Sequence, residues 1–408
     1  MRWPLVALTL LLIPAPAPAY SVLTHEAIID SAWPQVLRPL LLQRFPHASD
    51  DQLRQAHAYA YGGAIIQDMG YYPFGSHFFS DLVHYTRSGD FVLALFHDAD
   101  KSGDLNDYAF ALGALAHYAS DNLGHPIAVN RTVPMVYPKL RARFGPQVTY
   151  EDNPSDHLKT EFGFDVIEVA RGQYADEAYH DFIGFQVAKP LLESAFEDTY
   201  CVPLKDLFPS LDLALGTYRF SVSQAIPEMT KAAWAAKKKD IQKLQAGMTR
   251  RRYIYRISIA RYQKDWDHQY RRPGFGARFI AFLFRLVPKI GPLRAFAFKI
   301  PPPAAEKLFL ASFDDTETRY RALLPAAASG RLQLPNQNFD TGNPTRLGDY
   351  HLADQTYAKL LERLDGHINE VSPALRANLL AFYGAASPAS AKASAVLAAL
   401  RAPAAATR

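Results

Sequence analysis

The sequence predicts an all-α protein, a multi-helix core followed by a helical C-terminal extension. Three observations carry that expectation. Apolar residues recur at three- and four-residue spacing in segment after segment, which is the period of a helix. Runs that alternate with β-branched residues, the mark of strands, are scarce. The 29 prolines gather in the first residues, the tail and the gaps between periodic segments, which suits many short connections between helices. With 49% apolar and 21% charged residues, the composition is that of a globular chain able to bury a sizeable core.

Residues 1–19 read as an export leader: Arg2, an apolar run from Trp3 to Ile13, then small residues from Ala15 to Ala19. The run is too short to span a bilayer, which needs roughly 20 residues. Cleavage after Ala19 would leave Tyr20 as the first residue of a secreted or periplasmic protein. His25–Leu42 reads as one or two helices interrupted at Pro34. Asp50–Asp68 follows, with Asp50 and Asp51 as cap candidates. Gly70–Asp81, aromatic and rich in turn residues, reads as a loop. Phe91–Ala99, Leu105–Leu123 and Asp156–Ala170 read as helices, with a proline-rich loop around Val133–Val148. More helices run from Tyr174 to Lys243. Ala304–Leu324 and Leu352–Leu364 are helical again, flanking a polar loop at Leu334–Leu347. The organisation expected is a helical domain over 20–230, a basic helical extension over 231–384 and a low-complexity, poorly ordered tail over 385–408.

The single cysteine, Cys201, excludes an intrachain disulfide and reads as a small buried apolar residue. Any metal must therefore be held by His, Asp, Glu and backbone groups. His117, Asp121 and His125 are spaced by four, so each is offset by roughly 40° around the axis and all three share one helix face. Two imidazoles and a carboxylate suit a borderline-soft cation such as zinc, and the carboxylate can bridge two ions. A polar face of satisfied core residues would give the same pattern. His157 and Glu161 repeat the spacing, as a surface ion pair also would. Asp68, His84 and His25 are unremarkable singly.

Together these positions resemble the zinc-dependent phospholipase C and S1/P1 nuclease superfamily, whose fold is all-helical and holds up to three zinc ions. The resemblance covers residues 20 to about 170. It implies that the amino group and carbonyl of Tyr20 and the side chain of His25 hold one zinc. Asp68, His84, His117 and Asp121 would hold the first zinc, with Asp121 bridging. His125, His157 and Glu161 would hold the second. His77 is the rival to His84, since a loop could present either. His47, His57, His97 and His180 read as ordinary surface or core residues. The His-x3-Asp-x3-His spacing is similar to the group containing glycosylphosphatidylinositol-specific phospholipase D.

The resemblance also implies hydrolysis of a phosphodiester by metal-activated water, with Asp68 orienting or deprotonating that water. Two substrate classes fit. Between Lys231 and Lys299 stand 18 lysines and arginines against three aspartates, which points to an anionic partner. Within 271–300, Phe279, Ile280, Phe282 and Leu283 alternate with Arg278 and Arg285, a pattern suited to an anionic membrane surface and thus to phospholipid. A helix packing into the core is the plainer account. Tyr253, Tyr255, Tyr262, Trp266 and Tyr270 would instead let the stretch track single-stranded nucleic acid. Phospholipase C-type hydrolysis is the expected activity; a nuclease or nucleotidase, or a zinc fold that only binds surfaces, are the alternatives.

Overall fold

The structure is a computed structural model that describes residues 22–171, 185–222 and 299–402, with isolated positions between 234 and 250. The leader, Tyr20, His180 and the basic segment 271–298 lie outside the described residues. Among the described residues the architecture is all-α, and the only pairing of β type is the isolated bridge between Gln337 and Pro344. None of the described helices is long and apolar enough to cross a membrane.

α1 (Val22–Ala32) runs into a π-helical turn at Trp33–Leu37 containing Pro34, after which the chain resumes as α2 (Arg38–Arg44). α3 (Asp50–Ile65) starts on a capping box. The Ser49 side chain accepts from the Gln52 N–H, and Gln52 returns the bond to the Ser49 N–H. Ser49 is therefore the cap, while Asp50 and Asp51 sit in the first turn, where their charge complements the helix dipole. The chain then tightens into a 3-10 turn, Ile66–Tyr71, which carries Asp68.

The segment Gly70–Asp81 is a loop only as far as Ser76. The Ser76 hydroxyl accepts from the Phe79 N–H, and α4 (His77–Tyr85) begins there, burying Phe79, Leu82 and Val83. α5 (Ser88–Ser102) leads to α6 (Leu105–Gly124), which Asp104 caps through the Asn106 and Asp107 N–H groups. A second π turn, His125–Val129, follows directly. The expected loop around Val133–Val148 is partly helical, as α7 (Asn130–Val136) and α8 (Pro138–Phe144). α9 (Pro154–Arg171), α10 (Lys189–Tyr200) and α11 (Leu211–Phe220) complete this part.

α3 and α6 form the centre, packed backbone to backbone. A Cβ on Gly63 would lie 1.9 Å from the Phe110 carbonyl oxygen, and one on Gly113 would lie 2.0 Å from that of Ala60. Only glycine permits this approach. It sets the height of α6 against the end of α3, and with it the spacing of His117 and Asp68.

The C-terminal helices share the same core. α12 (Pro303–Ala328) buries Tyr320, whose hydroxyl donates to the Leu112 carbonyl of α6. α13 (His351–Arg363) and α14 (Pro373–Tyr383) bury Tyr357, Leu360, Leu361, Leu375 and Leu379 in the same cluster. The alanine-rich tail expected to be poorly ordered contains α15 (Ala391–Arg401), because Ala393, Val396, Leu397 and Leu400 make one stripe that the core covers. Cys201 is half-buried: it ends α10 in a left-handed conformation, and its Sγ accepts from the Ser372 N–H.

Candidate metal centre

Six helices and turns deliver histidines and carboxylates to one buried place. His25 comes from α1, Asp68 from the 3-10 turn, His84 from α4, His117 and Asp121 from α6, His125 from the π turn, and His157 and Glu161 from α9. None is more than 4% exposed, so any charge here must be compensated from within.

The first group surrounds Asp121. Its Oδ2 lies 3.2 Å from His117 Nε2 and 3.5 Å from His84 Nε2, and its Oδ1 lies 3.5 Å from His25 Nε2. Asp68 faces the same histidines, with Oδ1 3.4 Å from His84 Nε2 and Oδ2 3.9 Å from His25 Nε2. The other ring nitrogens are anchored outward. Nδ1 of His84 donates to the Ser80 carbonyl at 2.8 Å, and Nδ1 of His117 donates to the Ala64 carbonyl at 2.9 Å. The Ser120 hydroxyl donates to the His117 carbonyl and so accepts from His25 Nδ1 at 3.1 Å. Each Nε2 is thereby the nitrogen directed inward, where a metal ligand would present its lone pair once a cation displaces any proton there.

The second group lies on the far side of Asp121. His157 Nε2 is 3.0 Å from Glu161 Oε1 and 3.1 Å from His125 Nδ1. His125 Nε2 faces back to Asp121 Oδ2 at 3.7 Å, so this ring stands between the two groups. Sequence reasoning missed one participant: Asp340, whose Oδ1 is 2.9 Å from His125 Nδ1. It sits in the polar loop at 334–347, where an aspartate beside Gly342 reads as an ordinary turn residue. Phe339 was likewise unmarked, yet its ring packs on those of His84 and His117.

His77 is exposed at the start of α4 and outside both groups, whereas His84, two turns on, is inside. His57 stacks on Trp33 and pairs with Asp30, and His47 is exposed. His97 forms a surface group with Asp98 and Asp198.

These donors fit a cation. Both oxygens of Asp68 and of Asp121, Glu161 Oε1 and Asp340 Oδ1 are buried without a hydrogen-bond donor among the described residues. A buried, uncompensated carboxylate is worth several kcal/mol of destabilisation, which a shared dication would remove. The protons respond to the same crowding. Burial disfavours charge on Asp121, but His117, His125 and His84 outweigh it and hold its carboxyl well below the usual range. Burial also opposes charge on His84, yet Asp121 and Asp68 lift its pKa to about 10. Asp68 is raised, because burial exceeds what His117 and His84 return. Glu161 is raised by burial and then by Asp121 and Asp68, while burial lowers His157 to about 3.

Residues 24–209 match the family model for zinc-dependent phospholipase C. Over that segment the chain is similar to zinc-dependent phospholipase C. The match is a little under half of the 408 residues, and it contains His25, Asp68, His84, His117, Asp121, His125, His157 and Glu161 but not Asp340. No curated protein and no solved structure matched the chain.

Proposed function

We propose that this protein is an exported zinc-dependent phospholipase C, hydrolysing the phosphodiester of a phospholipid at the group around Asp121. The observation that carries the reading is the convergence of His25, Asp68, His84, His117 and Asp121 on one buried centre within a domain of that family. Up to three ions are assigned: one to Asp68, His84, His117 and Asp121, one to His125, His157 and Glu161, and one to His25, Asp121 and the terminal amine of Tyr20 after processing.

Zinc bound here would polarise phosphoryl oxygens and lower the pKa of water towards neutrality. The chain supplies position and proton handling. Asp68 is the candidate to orient or deprotonate the attacking water, since burial raises its carboxyl and both oxygens lack hydrogen-bond donors. Tyr71 and Phe339, packed against the His84 ring, exclude bulk water from its flank.

Phospholipid is favoured over nucleic acid by what surrounds the centre. A cavity of about 220 Å³ is lined by His77, Asp81, Tyr150, Glu151 and His351. Tyr150 also packs edge-on against His157, so the cavity adjoins the second group. The Glu151 carboxylate there suits a cationic or zwitterionic head group and opposes a polyanionic strand.

The test is turnover by the processed protein, with Tyr20 as its first residue, of phosphatidylcholine vesicles and of single-stranded DNA in parallel. Release of the phosphorylated head group without cleavage of DNA is expected. Faster cleavage of DNA would shift the assignment to a nuclease. Zinc loading without turnover of either substrate would leave a binding protein.

A further inference from the structure

We propose that Asp340 is the fourth protein ligand of the ion held by His125, His157 and Glu161, and that this ion fastens the C-terminal helices to the phospholipase domain. The inference rests on the metal assignment above and adds to it a residue from beyond the matched segment, which ends at 209.

The spacing from each donor to the next suits a shared ion, and Asp340 adjoins the group formed by His125, His157 and Glu161. From Glu161 Oε1 to His157 Nε2, to His125 Nδ1, to Asp340 Oδ1, successive distances are 3.0, 3.1 and 2.9 Å. Donors at zinc bonding distance in a tetrahedron lie roughly 3.3 Å apart. Two imidazoles and two carboxylates make an ordinary zinc set.

Asp340 is built for such a role. Its Oδ2 accepts from the Tyr350 hydroxyl at 2.6 Å and the Tyr150 N–H at 2.9 Å, which immobilises the carboxylate. Oδ1, with no hydrogen-bond donor, is the oxygen turned to His125. The loop around it is fixed from several sides. The Asp340 N–H donates to Asn338 Oδ1, and its carbonyl accepts from Asn130 Nδ2. The Phe339 N–H donates to the His84 carbonyl. Gly342, at φ +70°, lets the loop press on α6, since a Cβ there would lie 2.6 Å from the Asn122 carbonyl oxygen.

Four protein donors leave the second ion no open position, as in structural zinc sites. Its work would then be to join residue 340 to residues 125–161, and hydrolysis would depend on the group around Asp121.

The test uses the full processed chain, wild type and Asp340→Asn, equilibrated with buffered zinc and assayed for bound zinc and for limited proteolysis. The expected result is loss of one zinc equivalent, with affinity for that ion reduced more than roughly 1000-fold, and new cleavage within 299–402. Full occupancy, or weakening of only about 10- to 100-fold as expected of a carboxylate that merely orients His125, would overturn the proposal. Should the variant not fold, hydrogen exchange in the wild type reads the same link. Protection of residues 336–345 must fall when zinc is removed and return when it is restored; unchanged protection overturns the proposal too. A wild-type protein that binds no zinc would instead remove the underlying metal assignment.

Discussion

Oδ1 of Asp121 faces Nε2 of His25 at 3.5 Å, while the His25 ring lies stacked on that of His117 at 4.4 Å between centroids. One carboxylate therefore addresses two histidines that are themselves in contact, and each oxygen has its own partner. Asp121→Asn keeps the shape but removes the charge and one acceptor. We expect it to lower bound zinc by more than His25→Ala does, because only the bridge serves both sides. Metal analysis after gel filtration measures this; equal zinc content in the two variants would refute the bridging role.

Metal removal should destabilise the whole domain. Zinc at about 1000 times its dissociation constant would contribute about 4 kcal/mol of linked stability, so chelation should lower Tm by roughly 10 °C. Zinc, and not magnesium, should restore it, since the donors include five imidazoles. Calorimetry with and without chelator decides the point, and an unchanged Tm would exclude a stabilising ion.

Asp68→Asn should separate binding from chemistry. In the proposed assignment Asp68 shares its ion with three other donors, so most zinc should stay. Loss of a general base costs on the order of 100- to 10,000-fold in rate. We expect that loss in kcat with little change in KM; undiminished kcat with zinc retained would take Asp68 out of proton transfer.

Asp81, one turn before His84, gives a pH prediction. Burial raises its pKa to about 7, with Lys359 and His84 offsetting part of the effect. The folded protein therefore keeps a proton that the unfolded chain releases near pH 4. Stability should fall as pH rises from about 4 to about 7, by at most about 1.4 kcal/mol per pH unit, and level off above. Asp81→Asn should be more stable than wild type at pH 8 and equal to it near pH 3.5. Urea unfolding at both values tests the sign.

Gly113→Ala should be among the most damaging single-methyl changes in this chain. The added carbon meets backbone of α3, which has no rotamer to yield. A loss at or above the roughly 1–3 kcal/mol of ordinary overpacking is expected, together with weaker zinc binding as His117 moves. A variant as stable as wild type would show that α3 and α6 can separate at little cost.

The all-α class and the helices that carry the converging histidines and carboxylates were legible because each depends on local periodicity. His117 and Asp121 share a face by simple geometry, and His157 with Glu161 repeats it. What the sequence hid depends on tertiary docking. Asp340 meets His125 across more than two hundred residues, and a turn aspartate carries no sign of its distant neighbour. α15 is helical because its weak alanine-rich stripe finds a surface, which composition alone does not reveal. The early start of α4 rested on one serine, Ser76, whose cap competes with the turn chemistry around it. The π turn at His125 let that ring face two ways, where an even helical register implied one shared wall.

The seating of Phe339 and Asp340 against His84 and His125 has a consequence for timing. A chain made from its N-terminus releases His25 through Glu161 long before residue 340. Until that late stretch emerges, the imidazoles of the centre lack the Phe339 ring and the Asp340 carboxylate. Nascent or truncated chains would hold an open, half-walled site. Completion of the centre then reports that synthesis has passed residue 340.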